Sequence, residues 1–169
     1  MRLIFAHGQE SGPWGFKIKR LAPFAERHGC QVESIDYRDC PDPELRVERL
    51  LQRLQDEDAE CILVGSSMGG YVSLVASAAR PVSALFLIAP ALYIPSFKVQ
   101  KYASLAAHIE VVHGWSDDVI PVQNSIDYAC DTDCGLHLIS GDHSLNGSIS
   151  EVETLFERFL LRVAITSQP

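Results

Sequence analysis

Short apolar runs alternate with stretches of helical periodicity along the whole 169-residue chain. That alternation limits the possible folds more than any other feature. Strands joined through crossover helices run parallel, and a parallel sheet needs cover on both faces. The apolar runs fall at 3–6, 32–35, 61–64, 82–89, 109–113 and 136–139. The run at 82–89 is apolar almost throughout, as expected of a strand covered on both sides. Right-handed crossovers then leave few topologies. The expectation is an α/β three-layer sandwich with a six-stranded parallel sheet and helices on both faces. One domain covers 1–169, with a frayed tail at 166–169.

The intervening segments carry helix signals. Residues 14–27 place Ile18, Leu21, Ala22 and Ala25 at i, i+3, i+4 and i+7. Asp42-Pro43 reads as an N-cap followed by proline at the first helical position, ahead of Val47, Leu50, Leu51 and Leu54. A helix over 67–79 would bury Met68, Val72, Val75, Ala76 and Ala79, and one opening at Pro121 would set Val122, Ile126 and Ala129 on one side. The last helix buries Val152, Leu155, Phe156, Phe159, Leu160 and Val163, with Ser148 and Glu151 forming a capping box. Residues 90–107 read as irregular or weakly helical.

One strand-to-helix junction carries chemistry. Gly65-Ser66-Ser67-Met68-Gly69 fits G-x-S-x-G, with an apolar strand leading in and a helix leading out. A serine on such a sharp turn needs flanking residues without Cβ atoms, and the register that places glycines there makes Ser67 the nucleophile. Ser66 would put Val64 and Met68 at those positions. A neutral serine hydroxyl is a weak nucleophile and needs a base. His143, in the loop Gly141–Leu145 after the last strand, lies at the carboxyl edge of the sheet, where Ser67 also sits. His108, His113 and His137 lie within or at the ends of strands. The acid that orients the base should come from the loop His113–Pro121. There Asp117 is favoured over its neighbour Asp118, being nearer the strand end. The oxyanion donors should be the backbone N–H groups of Met68, the residue after the nucleophile, and of Gln9 in the loop after the first strand, with Glu10 the fallback. His7 reads as a brace for that loop.

Composition excludes several partners. The net charge of −8 repels nucleic acid phosphates and anionic membranes. No apolar run reaches the length of a membrane span, and the N-terminal run is too short for a signal peptide, so the expected location is the cytoplasm. The five cysteines form no disulfide framework, and Cys130 and Cys134 lack a second ligand pair for a metal.

The phrases "FAHGQESGP", "VGSSMGGY", "HGWSDDVIP" and "GDHSL" resemble the α/β-hydrolase superfamily. They look most like its small bacterial YqiA-like esterases, and more distantly like the compact hydrolases of the retinoblastoma-binding-protein type. The resemblance implies a minimal α/β-hydrolase fold with a Ser67–Asp117–His143 triad and a Gln9–Met68 oxyanion hole. It implies hydrolysis of a small ester or thioester with neither metal nor organic cofactor. Residues 90–107 are too few for a cap domain; Leu92, Tyr93, Ile94 and Phe97 could line an acyl pocket or cover the sheet edge. A binding protein that keeps the triad without turnover, a peptidase and an acyltransferase would use the same residues.

Overall fold

The computed structural model describes residues 1–54 and 60–166. Its strands are β1 (Arg2–Ala6), β2 (Gln31–Ile35), β3 (Ile62–Ser66), β4 (Ala84–Ile88), β5 (His108–Gly114) and β6 (Gly135–Ile139). They form one sheet in the order β2-β1-β3-β4-β5-β6. Every pairing is parallel. The helices are α1 (Phe16–Arg27), α2 (Pro43–Arg53), α3 (Met68–Ala79), α4 (Val122–Thr132) and α5 (Ile149–Thr166).

The period-two alternation of strand side chains sorts the core into two layers. Leu3, Phe5, Val64, Phe86 and Val112 face one side, under α1 and α5; Phe86 packs against Phe156 and Phe159, with both ring centroids 5.1 Å away. Ile4, Leu63, Leu85, Leu87 and Val111 face the other side with Leu50 of α2, Val72 of α3 and Tyr128 of α4. Asp42 caps α2 as expected, its carboxylate accepting from Glu44 N–H at 2.8 Å. Among the described residues, no helix is long and apolar enough to cross a membrane.

Several expected faces differ. On α3, Tyr71, Ser73, Leu74 and Ser77 are buried alongside Met68, Val72 and Ala76, while Val75 is half-buried and Ala79 exposed. The reason is the segment 90–107, which has no regular helix and lies across α3: Leu105 N–H donates to the Ser77 carbonyl at 3.0 Å. On α4 the core-facing residues are Ser125 and Tyr128, with Val122, Ile126 and Ala129 half-buried. The Ser148 hydroxyl does not form the expected capping box: it donates to the Ser140 carbonyl, and Glu151 N–H bonds the Ser148 carbonyl at 3.0 Å. Thr166 ends α5, and the rest of the expected frayed tail lies outside the described residues.

The strand order reverses between β1 and β3, which pair Ala6 with Gly65. Open α/β sheets form a crevice at the carboxyl ends of strands at such a switch point. The loop beginning at His7 and the turn at Ser67 therefore leave the sheet side by side.

Candidate active site

Ser67 joins β3 to α3 with φ 55° and ψ −122°. A non-glycine residue in such a conformation stores about 1–3 kcal/mol of strain and persists only where its surroundings impose it. Here they do. Ser67 N–H donates to the Ile88 carbonyl at 2.9 Å, and its own carbonyl accepts from Gly70 at 2.9 Å and Ala91 at 3.0 Å. The glycines are required by close approach. A Cβ on Gly65 would lie 2.3 Å from the Gly69 carbonyl oxygen, and one on Gly69 would lie 1.9 Å from that of Ala6.

His143 comes from the loop after β6. Its Nε2 lies 3.0 Å from Ser67 Oγ, and its Nδ1 lies 2.8 Å from Asp117 Oδ2. An ionised carboxylate can only accept, so Nδ1 carries the proton and Nε2 is free to accept from the serine hydroxyl. The loop is anchored from three directions. Leu145 is fully buried in the α1/α5 core, Asp142 Oδ1 accepts from Leu145 N–H at 3.0 Å, and Lys17 of α1 donates to the Ser144 carbonyl at 2.8 Å. Asp142 thus holds its own loop and takes no part in orienting the imidazole.

Asp117 follows β5, and its carboxylate is wholly shielded from solvent. Oδ1 accepts from Val119 N–H at 2.9 Å and Ile120 N–H at 2.8 Å. Oδ2 faces His143. Burial by itself would raise the carboxyl pKa, but the bonds from Ile120, His143 and Val119 outweigh it and hold the group below the usual carboxylate range. Asp118 is exposed.

Sequence reasoning missed two residues behind this row. His113, fully buried, sets Nε2 at 2.9 Å from Asp117 Oδ2 and 3.1 Å from the Ile120 carbonyl, while the Ser125 hydroxyl meets its Nδ1 at 2.7 Å. Burial lowers its pKa in spite of Asp117, so it stays neutral. Arg46 of α2 is 1% exposed and donates into the loop after β1, to the His7 carbonyl at 3.2 Å and the Gly8 carbonyl at 3.4 Å. Its signal was present in the sequence: Arg46 lies four residues before Leu50 and eight before Leu54, on the apolar stripe of its helix. His7 braces its loop as expected, donating from Nδ1 to the Gly8 carbonyl at 2.7 Å and accepting Tyr37 N–H on Nε2 at 2.9 Å.

A cavity of about 490 Å³ opens at Ser67 and His143. The loop from His7 to Ser11, the first turn of α1 (Phe16, Lys17, Ile18), Val119 and Asn146 complete its wall. Gln9 lies on this wall, and Met68 is the buried first residue of α3. Leu92, Tyr93, Ile94 and Phe97 do not line this cavity. Leu92 is fully buried in the opposite layer of the core, Phe97 packs on Tyr71 at 4.7 Å and Tyr93 on Tyr102 at 5.2 Å. Tyr93 and Phe97 thus belong to an aromatic cluster over α3 and Leu92 to the core, so these three cover the sheet and do not form an acyl pocket beside Ser67.

The likeness to known proteins runs along the same lines. A protein of the alpha/beta hydrolase superfamily from Xanthomonas campestris pv. campestris is 32% identical, with a TM-score of 0.86 over 95% of this chain and 98% of that one. A serine hydrolase without a lid from Xanthomonas campestris is 21% identical, with a TM-score of 0.71 over 99% and 84%. A structure from a study of carboxylesterases of Nitrososphaera gargenis is 13% identical, with a TM-score of 0.72 over 98% and 91%. No curated protein matches the chain. The sequence profile of the alpha/beta hydrolase family matches residues 3–147, and with a sheet, crossovers and a strand-to-helix serine turn of that kind, the chain belongs to this family of hydrolases.

Proposed function

We propose that the chain is a serine hydrolase that cleaves small carboxylic esters or thioesters through an acyl-enzyme. The observation that carries this reading is the unbroken row Ser67 Oγ, His143, Asp117, with contacts of 3.0 and 2.8 Å. His143 takes the hydroxyl proton as Ser67 Oγ bonds to the acyl carbon. The carbonyl electron pair moves onto its oxygen, which the N–H groups of Gln9 and Met68 receive. Collapse restores the carbonyl and expels the alcohol or thiol, which takes the proton from His143. Water then repeats the two steps on the acyl-enzyme and frees the acid. Asp117 holds the tautomer that makes this possible and stabilises the imidazolium while it exists.

Neither the Gln9 nor the Met68 N–H is engaged by a backbone hydrogen bond among the described residues, as donors reserved for a developing charge should be. The cavity wall combines the apolar groups of Phe16, Ile18 and Val119 with polar loop backbone, which suits a short acyl chain beside a polar carbonyl. A panel of short-chain aryl esters, acyl thioesters and anilides tests the reading. Sustained turnover of the first two, with release of free acid, is expected. Binding without turnover, or acyl transfer to added amines in place of water, would contradict it.

A further inference from the structure

Arg46 is the largest fully buried side chain described, and among the described residues no carboxylate lies within ion-pair distance of it. A buried guanidinium without a counter-ion is expensive, since burial of a charge is tolerated only where its donors are satisfied. Its partners are carbonyls: Cys40 accepts from Nε at 2.5 Å, Tyr37 from Nη2 at 3.2 Å, and His7 and Gly8 from Nη1 at 3.2 and 3.4 Å. The Tyr37 ring lies 5.1 Å from the guanidinium carbon. An apolar side chain would fill the same volume without that desolvation cost.

The Gly8 carbonyl belongs to the peptide unit that carries the Gln9 N–H. It accepts from His7 Nδ1 at 2.7 Å as well as from Arg46. The chain has no cis peptide bonds. In a trans unit the C=O and N–H point in opposite directions, so a carbonyl pinned toward the buried Arg46 aims the Gln9 N–H away from it. Gly8 and Gln9 line the cavity that holds Ser67, and a Cβ on Gly8 would be 3.3 Å from Ser67 Cβ. Hydrogen bonds to a carbonyl also polarise the N–H across the conjugated peptide and strengthen it as a donor, by about 10–30% per bond. The cation assists indirectly too. Burial lowers the His7 pKa and the nearby Arg46 charge lowers it further, and the neutral ring donates at Nδ1 while accepting at Nε2.

We infer that Arg46 is a positioning residue for the oxyanion hole: its buried guanidinium aims and polarises the Gly8–Gln9 peptide toward the oxygen that becomes negative in the transition state. The inference rests on the serine hydrolase reading above.

The test compares two ligands of one shape. With a short aryl trifluoromethyl ketone, Ser67 Oγ bonds to the ketone carbon, its proton passes to His143 and the ketone oxygen becomes an alkoxide. The corresponding trifluoromethyl alcohol occupies the same cavity and forms no oxyanion. The ratio of their inhibition constants is measured for wild type, Arg46→Met and Arg46→Lys, each normalised to titrated active sites. Arg46→Met is expected to weaken the ketone at least tenfold more than the alcohol and to lower kcat by a similar factor with a smaller change in KM. Arg46→Lys, which keeps the charge but cannot reach all four carbonyls, is expected to lose severalfold and to fall between the two. Should the methionine variant fail to fold, the lysine variant carries the test alone. A wild-type ketone-to-alcohol ratio in a folded variant overturns the inference, even if stability has dropped, because a purely structural role would leave that ratio in place. A wild-type protein that shows no preference for the ketone overturns the hydrolase reading and the inference with it.

Discussion

Asp117 presents one oxygen to two imidazoles. Oδ2 lies 2.8 Å from His143 Nδ1 and 2.9 Å from His113 Nε2, so its placement is fixed from both sides. Asp117→Asn is therefore expected to lower kcat by about 10³–10⁴ while circular dichroism stays unchanged, as replacing the orienting acid does in comparable triads. Asp118→Asn, on an exposed side chain, is expected to stay within about twofold. Equal losses in steady-state kinetics would contradict the assignment. The depressed carboxyl pKa adds a second expectation. Its stabilising effect is complete above the unfolded value of about 3.9 and is lost as the pH falls through the lower folded value. The stability gap between wild type and Asp117→Asn should accordingly narrow below about pH 4 in denaturant titrations. Ser67, Asp117 and His143 were legible in the sequence because each sits in a short phrase with its own local logic. The parts played by His113 and Arg46 were not: His113 stands only four residues before Asp117 but reads as a core strand residue, and Arg46, although on the apolar stripe of its helix, acts on the distant His7 and Gly8, so only the fold brings β5 under its own loop and α2 under the loop after β1.

At the level of elements, the strand-to-helix turn depends on backbone contact. Ala6 is paired with Gly65, and the Ala6 carbonyl oxygen would lie 1.9 Å from a Cβ on Gly69. That neighbour is backbone and cannot rotate away. Gly69→Ala is expected to cost about 3 kcal/mol or more, the size reserved for strain and overpacking, read as a fall in the denaturation midpoint. A near-neutral result would mean that the turn is not packed as described. Leu145, with φ 52° and no exposure, plays the matching part for the histidine loop. Leu145→Ala should cost about 2–5 kcal/mol and lower kcat further by loosening His143. The elements themselves could be read from periodicity. Their buried faces were less legible on α3 and α4, because periodicity assumes a helix covered on one side only. The irregular segment 90–107 covers α3 from outside, and Ser125 of α4 turns inward to meet His113.

For the molecule as a whole, two buried neutral histidines set the response to acid. His7 and His113 both have lowered pKa values, with burial the largest cause. The unfolded chain binds protons on these groups below about pH 6.5, before the folded chain does. Stability should then fall as the pH drops below that value, by up to about 1.4 kcal/mol per pH unit for each histidine. Denaturant titrations at pH 8, 6.5 and 5 check this, and equal stability at pH 8 and 5 would contradict it. The functional reading depends on Ser67 being the group that His143 activates. The most direct measurement is peptide mapping by mass spectrometry after reaction with a fluorophosphonate, on wild type and His143→Ala. The expected result is one adduct, on Ser67, formed rapidly in wild type and slowed at least a hundredfold in the variant. An adduct on Ser66, or labelling of Ser67 at the same rate without His143, would contradict the account.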